Sequence, residues 1–282
     1  LIKSSITKPL LIGGILLTVF ILSRVFAKEE QVPMLSTKVN LPVFEGDVSW
    51  VDRPYSNASS LGNLIGIHGT PGSWTAWKPL MEEAALADYK ILAFDRAGWG
   101  QTMGNSGQVI PNLKDQSDIL AAAIRPMNLE SPTVLVAHSW GGPVALALAI
   151  YHPDLVDGML LIASPANPKI SQPRWYHNLA KAKPIQWLIG KSMTRSNIEM
   201  LALESELETL VPNLKDITIP IVIMQGKKDW LVKPENAFFL SRSLQNSNVK
   251  LVYDTKANHF IPFSQTDKVA LEVQWLRQQI AE

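Results

Sequence analysis

The chain reads as an α/β protein: a mostly parallel central sheet with helices on both faces and a small helical cap. Three observations predict this. Short apolar runs, each of strand length, recur at residues 63–68, 90–95, 133–137, 158–163, 219–224 and 250–253. Helix-length runs lie between most of them, at 76–87, 113–124, 143–151, 234–244 and 268–280. The 282 residues are 46% hydrophobic and 18% charged, enough for one large core and too apolar for a disordered chain.

Composition removes several function classes. Lys and Arg number 26 against 25 Asp and Glu, a net charge of +1, so no global field favours nucleic acid. Cysteine is absent, which excludes disulfides, thiolate catalysis, cysteine zinc sites and Fe–S clusters. No His, Asp or Glu spacing resembles a metal site, and neither a metal nor any other cofactor is expected.

In chain order, residues 1–27 come first. Pro9 to Ser23 is an unbroken apolar run with Lys3 and Lys8 before it and Arg24 and Lys28 after it. A run without a polar face does not suit a core helix. It suits a signal peptide, with Val25-Phe26-Ala27 as a small-x-small cleavage site. It equally suits a membrane anchor in which Val25 and Phe26 extend the span and Arg24 snorkels. Either reading exports the domain, anchored and facing outside the cytoplasm or released as a periplasmic or secreted protein. Residues 28–40 read as a polar tether and 41–282 as the folded domain. Within it, 41–51 reads as an edge hairpin turning at Gly46-Asp47. Residues 169–218 break the strand–helix rhythm with two aromatic clusters (Trp175-Tyr176 and Trp187) and an acidic helical run, 197–210. They read as a helical cap over the strand ends.

Parallel sheets bind ligands at the carboxyl ends of their strands, so the chemistry should follow the strands directly. It does so five times. His68-Gly69-Thr70-Pro71-Gly72 follows the first central strand, a glycine turn able to aim backbone N–H groups at a ligand oxygen. Phe94 to Gly100 (FDRAGWG) follows the next, with Asp95 read as structural and Arg96 as paired nearby. After residues 133–137 comes His138-Ser139-Trp140 between Ala137 and Gly141, then a helical run. A serine strained on a strand-to-helix turn needs small residues two before and two after it, as here. Gly226-Lys227-Lys228-Asp229 follows residues 219–224, and Asn258-His259-Phe260 follows the last strand. A serine nucleophile needs a base within reach, and the base needs an acid to fix its tautomer. Ser139, Asp229 and His259 stand in that order along the chain.

On these residues the sequence resembles the α/β-hydrolase superfamily, in particular its serine esterase, lipase and haloperoxidase-like members. HGTPG resembles the family's oxyanion loop, AHSWGG its nucleophile elbow, GKKD its acid turn and NHF its histidine loop. The resemblance runs from about Leu41 to the C-terminus. It implies Ser139, Asp229 and His259 as a catalytic triad, and the backbone N–H groups of Thr70 and Trp140 as an oxyanion hole. It implies hydrolysis of a small carboxylic ester or related acyl compound through an acyl-enzyme. An aminopeptidase, a carbon–carbon hydrolase or a cofactor-free perhydrolase would use the same triad. A non-catalytic binding protein on the same fold is the remaining alternative. Dehalogenases and epoxide hydrolases of this fold use an aspartate nucleophile, and residue 139 is serine. Ala137 stands where the elbow usually has glycine. Thr70 stands where the aminopeptidase branch usually shows glycine, which argues against a peptidase.

Trp74, Trp99, Trp175 and Trp187 are candidates to line the pocket. Glu204, Glu206 and Glu208 read as a solvated helix face, with capture of a substrate amine as the peptidase alternative. His68 and His138 read as structural, His152 as the end of the elbow helix and His177 as exposed in the cap.

Overall fold

Six consecutive buried residues, Gly62–Ile67, form β3, the strand from which the sheet is built outward. A computed structural model describes residues 33–56 and 60–281. The apolar run 9–23, with its signal-peptide and anchor readings, lies outside the described residues. Among those described, no helix is long and apolar enough to cross a membrane. The other strands are β1 (Leu35–Leu41), β2 (Phe44–Arg53), β4 (Tyr89–Phe94), β5 (Thr133–His138), β6 (Gly158–Ile162), β7 (Ile221–Gly226) and β8 (Val249–Asp254). Their spatial order is β1-β2-β4-β3-β5-β6-β7-β8. Pairing is parallel from β4 to β8, and β2 is antiparallel to both β1 and β4. From β3 the chain moves to β4 on one side and returns to β5 on the other, opening a crevice at the carboxyl ends.

Alternation along the strands divides the core in two. Ile65, Ile67, Leu135, Ala137, Met159 and Leu161 join one buried cluster with helices α1 (Leu113–Ile124) and α2 (Gly141–Tyr151). The opposite face carries Gly66, where a Cβ would fall 2.6 Å from the Trp77 ring. Further along the sheet, α5 (Thr266–Ala281) packs on β6 and β7. Residues between β6 and β7 contain no strand. They carry a short helix (Trp175–Leu179), then α3 (Lys183–Leu210), whose helical path breaks at Gly190 (φ 77°, ψ 173°). Helix α4 (Glu235–Ser243) follows β7.

Three expectations are corrected. Residues 35–40 are not tether but most of β1, and that edge hairpin turns at Pro42-Val43. Gly46 lies inside β2, opposite Val39. This register turns Val39, Phe44 and Val48 to the core together, and a slip of one residue would expose them. The helix expected over 76–87 is instead a 3-10 turn (Trp74–Trp77), one helical turn (Lys78–Met81) and a second 3-10 turn (Ala84–Leu86). Extended Glu83 divides them, its carboxylate accepting from Ala85 N at 3.2 Å.

Candidate active site

The site starts with a strained residue. Ser139 has φ 52°, a left-handed backbone that costs about 1–3 kcal/mol for a residue with a Cβ. Its N–H donates to Ile162 O (2.9 Å) in β6, and its carbonyl accepts from Gly142 N (2.9 Å), closing the turn into α2. The close approach needs glycine: a Cβ on Gly141 would stand 2.2 Å from Ile67 O. Ala137, where glycine was expected, fits as a fully buried strand residue. The loop after β3 runs directly against the serine. A Cβ on Gly69 would lie 2.9 Å from Ser139 Cβ and 3.5 Å from its Oγ. Thr70 is next along that loop, and Trp140 forms the N-cap of α2. Anionic charge at Ser139 would therefore sit at a helix N-terminus, where the dipole favours it.

Asp229 and His259 meet. His259 Nδ1 donates to Asp229 Oδ2 at 2.8 Å, with both side chains almost wholly buried. A carboxylate can only accept, so Nδ1 carries the proton and the Nε2 lone pair is left as the base. Asp229 is itself held in place: Oδ1 accepts from Leu231 N and Val232 N, each at 2.9 Å, and Oδ2 from Gln225 Nε2 at 3.1 Å. His138 braces the histidine loop, its Nε2 donating to His259 O at 2.9 Å with ring centroids 4.7 Å apart. Burial, then the neighbouring His259, lowers the His138 pKa to about 3, so it stays neutral.

Beneath the Gly69 loop lies a charged cluster that sequence reading missed. Arg96 does pair, but with Glu199 in the cap helix α3, at 2.8 and 3.2 Å; the two side chains are 2% and 0% exposed. Trp99 Nε1 also donates to Glu199, at 2.9 Å. Arg96 further donates to His68 O (2.8 Å) and Gly69 O (3.0 Å), and its guanidinium lies 4.6 Å from the Trp140 ring centroid. His68 donates from Nδ1 to Gly69 O (2.8 Å) and accepts at Nε2 from Arg96 N (3.1 Å). Burial, then the Arg96 charge, holds its pKa well below the ordinary value. One arginine thus ties together the loop after β3, the elbow tryptophan and the cap. Asp95 is structural, accepting from Trp74 N (2.7 Å) and Gln101 N (2.9 Å). A signal for Glu199 was present: Glu199, Leu203 and Leu207 recur at i, i+4, i+8, which puts a carboxylate in an apolar helix stripe where it needs a partner.

The four candidate pocket tryptophans divide by burial. Trp74 and Trp99 are buried, and Trp99 is engaged by Glu199, whereas Trp175 and Trp187 are exposed. Trp187 lines a groove of about 630 Å³ between residues 107–109 and α3 that includes none of Ser139, Asp229 or His259. Nor are the cap glutamates one solvated face. Glu206 accepts from Leu113 N at 2.8 Å, capping α1, and Glu204 accepts from Gln172 Nε2 at 2.6 Å; Glu208 is exposed. His177 is half-buried, its ring bonded to Asn197 Oδ1 at 2.8 Å.

A parallel sheet with its strained serine after β5, an acid after β7 and a histidine after β8 is the plan of an α/β hydrolase. The family model for the alpha/beta hydrolase fold matches residues 62–187, and that for serine hydrolase (FSH1) matches 143–271. The chain has the α/β-hydrolase fold, and the two models together match it across residues 62–271. It is 37% identical over 118 residues to a probable lysophospholipase, BODYGUARD 4, of Arabidopsis thaliana, covering 41% of this chain and 28% of that protein. It is 31% identical over 102 residues to epoxide hydrolase B of Mycobacterium tuberculosis, covering 36% of this chain and 28% of that one. The chain thus spans under a third of these relatives' length. Its fold is similar to that of an esterase from Thermogutta terrifontis, with TM-score 0.63, 20% identity, and coverage of 88% of this chain and 99% of the other. An esterase from Exiguobacterium antarcticum gives TM-score 0.65 at 17% identity, over 83% and 96%.

Proposed function

We propose that the protein is a serine hydrolase that cleaves a carboxylic ester through an acyl-enzyme, with Ser139 as nucleophile, His259 as base and Asp229 as its acid. The observation that carries this reading is the buried bond from His259 Nδ1 to Asp229 Oδ2 (2.8 Å), which sets the tautomer a general base requires. His259 Nε2 takes the Ser139 proton as Oγ attacks the carbonyl, and Asp229 stabilises the imidazolium. The N–H groups of Thr70 and Trp140 receive the oxyanion; such donors are typically worth about 2.7–4 kcal/mol each. His259 then protonates the leaving alcohol, and water releases the acid. Lysophospholipase and esterase names among the similar proteins support an ester, and the serine hydrolase family model matches residues 143–271, a span that includes Asp229 and His259. Epoxide hydrolases are also similar, but serine at 139 favours acyl transfer over epoxide opening. Export of the domain, as residues 9–23 suggest, is part of the proposal.

The test is fluorophosphonate labelling together with turnover of a nitrophenyl ester series. Labelling and turnover are expected in the native chain. Ser139→Ala should lose labelling and about 10⁴–10⁶-fold in kcat. Retained turnover in that variant would overturn the assignment.

A further inference from the structure

The outer cap is strongly one-sided in charge. Residues 169–198 carry six Lys or Arg and no Asp or Glu, although the whole chain is balanced at +1. Lys169, Lys181, Lys183 and Lys191 are exposed. The same stretch exposes large apolar side chains: Trp187 is 87%, Leu188 70%, Trp175 62% and Leu179 56% accessible. A second apolar pair adjoins it. Arg174 donates to the carbonyls of Trp230 (3.0 Å) and Leu231 (3.1 Å), both exposed, and that loop adds the exposed Lys227, Lys228 and Lys233. Asp229, between them in sequence, is buried, so its charge does not offset theirs at the surface. The groove beside Trp187 is likewise lined by Lys183, Lys191 and Arg195.

Scattered exposed apolar residues need no explanation, but tryptophans and leucines exposed along a stretch with six cations and no carboxylate do. Water solvates the lysines well and the indoles badly. A lipid interface satisfies both: the rings and leucines enter the acyl boundary while the ammonium groups meet anionic headgroups. A protein partner would have to present a dense acidic rim around an apolar centre, a narrower requirement. We propose that the outer cap, residues 175–191 with Trp230 and Leu231, docks on an anionic lipid surface. The inference stands on this surface alone and does not require the ester reading.

The absence of cysteine allows a single reporter. The full chain carrying Leu188→Cys, labelled with an environment-sensitive fluorophore, is mixed with vesicles of phosphatidylcholine alone or with added phosphatidylglycerol. The label should shift to the blue and be quenched by spin-labelled lipid on anionic vesicles, with the effect weakened by salt. The same label at Leu271→Cys, exposed on α5, should stay in water and report any insertion not due to the cap. Neutralising Lys183 and Lys191 (Lys→Gln) should lower docking about fivefold per lysine, the factor for one lysine near an anionic surface. Melting temperatures of these surface variants check that the fold is intact. A label that stays in water on both vesicles overturns the proposal, and so does equal quenching on neutral and anionic lipid. Burial of the label without lipid, with a doubling of mass, would assign the face to a second copy instead. The readout is fluorescence, so a failure of the ester assay leaves this outcome unaffected.

Discussion

Replacing Glu199 by alanine leaves the Arg96 guanidinium buried without its counter-charge. Arg96 and Glu199 are 2% and 0% exposed, so solvent does not replace the lost partner. Removing one member of such a pair costs about 3–5 kcal/mol. The Trp99 indole N–H loses its acceptor as well, adding about 1 kcal/mol. The expected loss is about 5 kcal/mol, a third or more of the stability of an ordinary domain. With a urea m-value of about 3 kcal/mol/M, the unfolding midpoint should fall by about 1.7 M. Replacing both partners, Arg96→Met with Glu199→Leu, should recover most of that stability, because no charge is then stranded. It should not recover turnover, because Arg96 also holds the carbonyls of His68 and Gly69 behind the serine. A Glu199→Ala loss below about 1 kcal/mol would refute the reasoning. So would a double variant no more stable than the single one.

Other outcomes follow from single contacts. Asp229→Asn should keep the fold and lower kcat about 10⁴-fold, read in the same ester assay, because the amide cannot hold the required His259 tautomer. His138 has a folded pKa of about 3 against an ordinary 6.5, so below pH 6.5 the unfolded chain takes up a proton that the folded one refuses. Stability should then fall as pH falls between 6.5 and about 3, by at most about 1.4 kcal/mol per pH unit from this residue, and His138→Asn should flatten that slope in urea titrations. Gly141→Ala should cost about 3 kcal/mol or prevent folding, since its methyl would meet Ile67 O; a melting temperature within a few degrees of native would contradict this. Glu206→Ala should cost about 1 kcal/mol in the same melts, by leaving the Leu113 N–H at the start of α1 without its acceptor.

The sheet was legible because buried parallel strands write themselves as continuous apolar runs, and the helical runs between them fixed the alternation. The strand-end residues were legible for the same reason: Ser139, Asp229 and His259 each stand just past such a run. Less local features were not. Pro42 and Gly46 both mark turns, and only pairing across the sheet decides that Pro42 makes the hairpin. The 76–87 run has helical composition, yet packing of Trp77 on Gly66 and the extended backbone at Glu83 divide it. The Arg96–Glu199 pair spans 103 residues, so the apolar stripe around Glu199 tells that it needs a partner but not which residue supplies it. The four tryptophans divide into two buried and two exposed, because aromatic content does not say on which surface a side chain lies.

Gly190 gives the cap two mechanical halves. Beyond it, α3 is fastened through Glu199 to Arg96 and through Arg195 to Gly98 O (2.8 Å) and Gly107 O (3.1 Å). Lifting that half would uncouple a buried charge from its partner. Before it, residues 181–188 are almost all exposed, with Gln186 bonded to the carbonyl of Lys181 in the same turn. Any swing of the cap is therefore confined to residues 181–188, between the bond from His177 to Asn197 and one left-handed glycine, while the trailing half stays fastened through Arg96 to the loop that meets the serine.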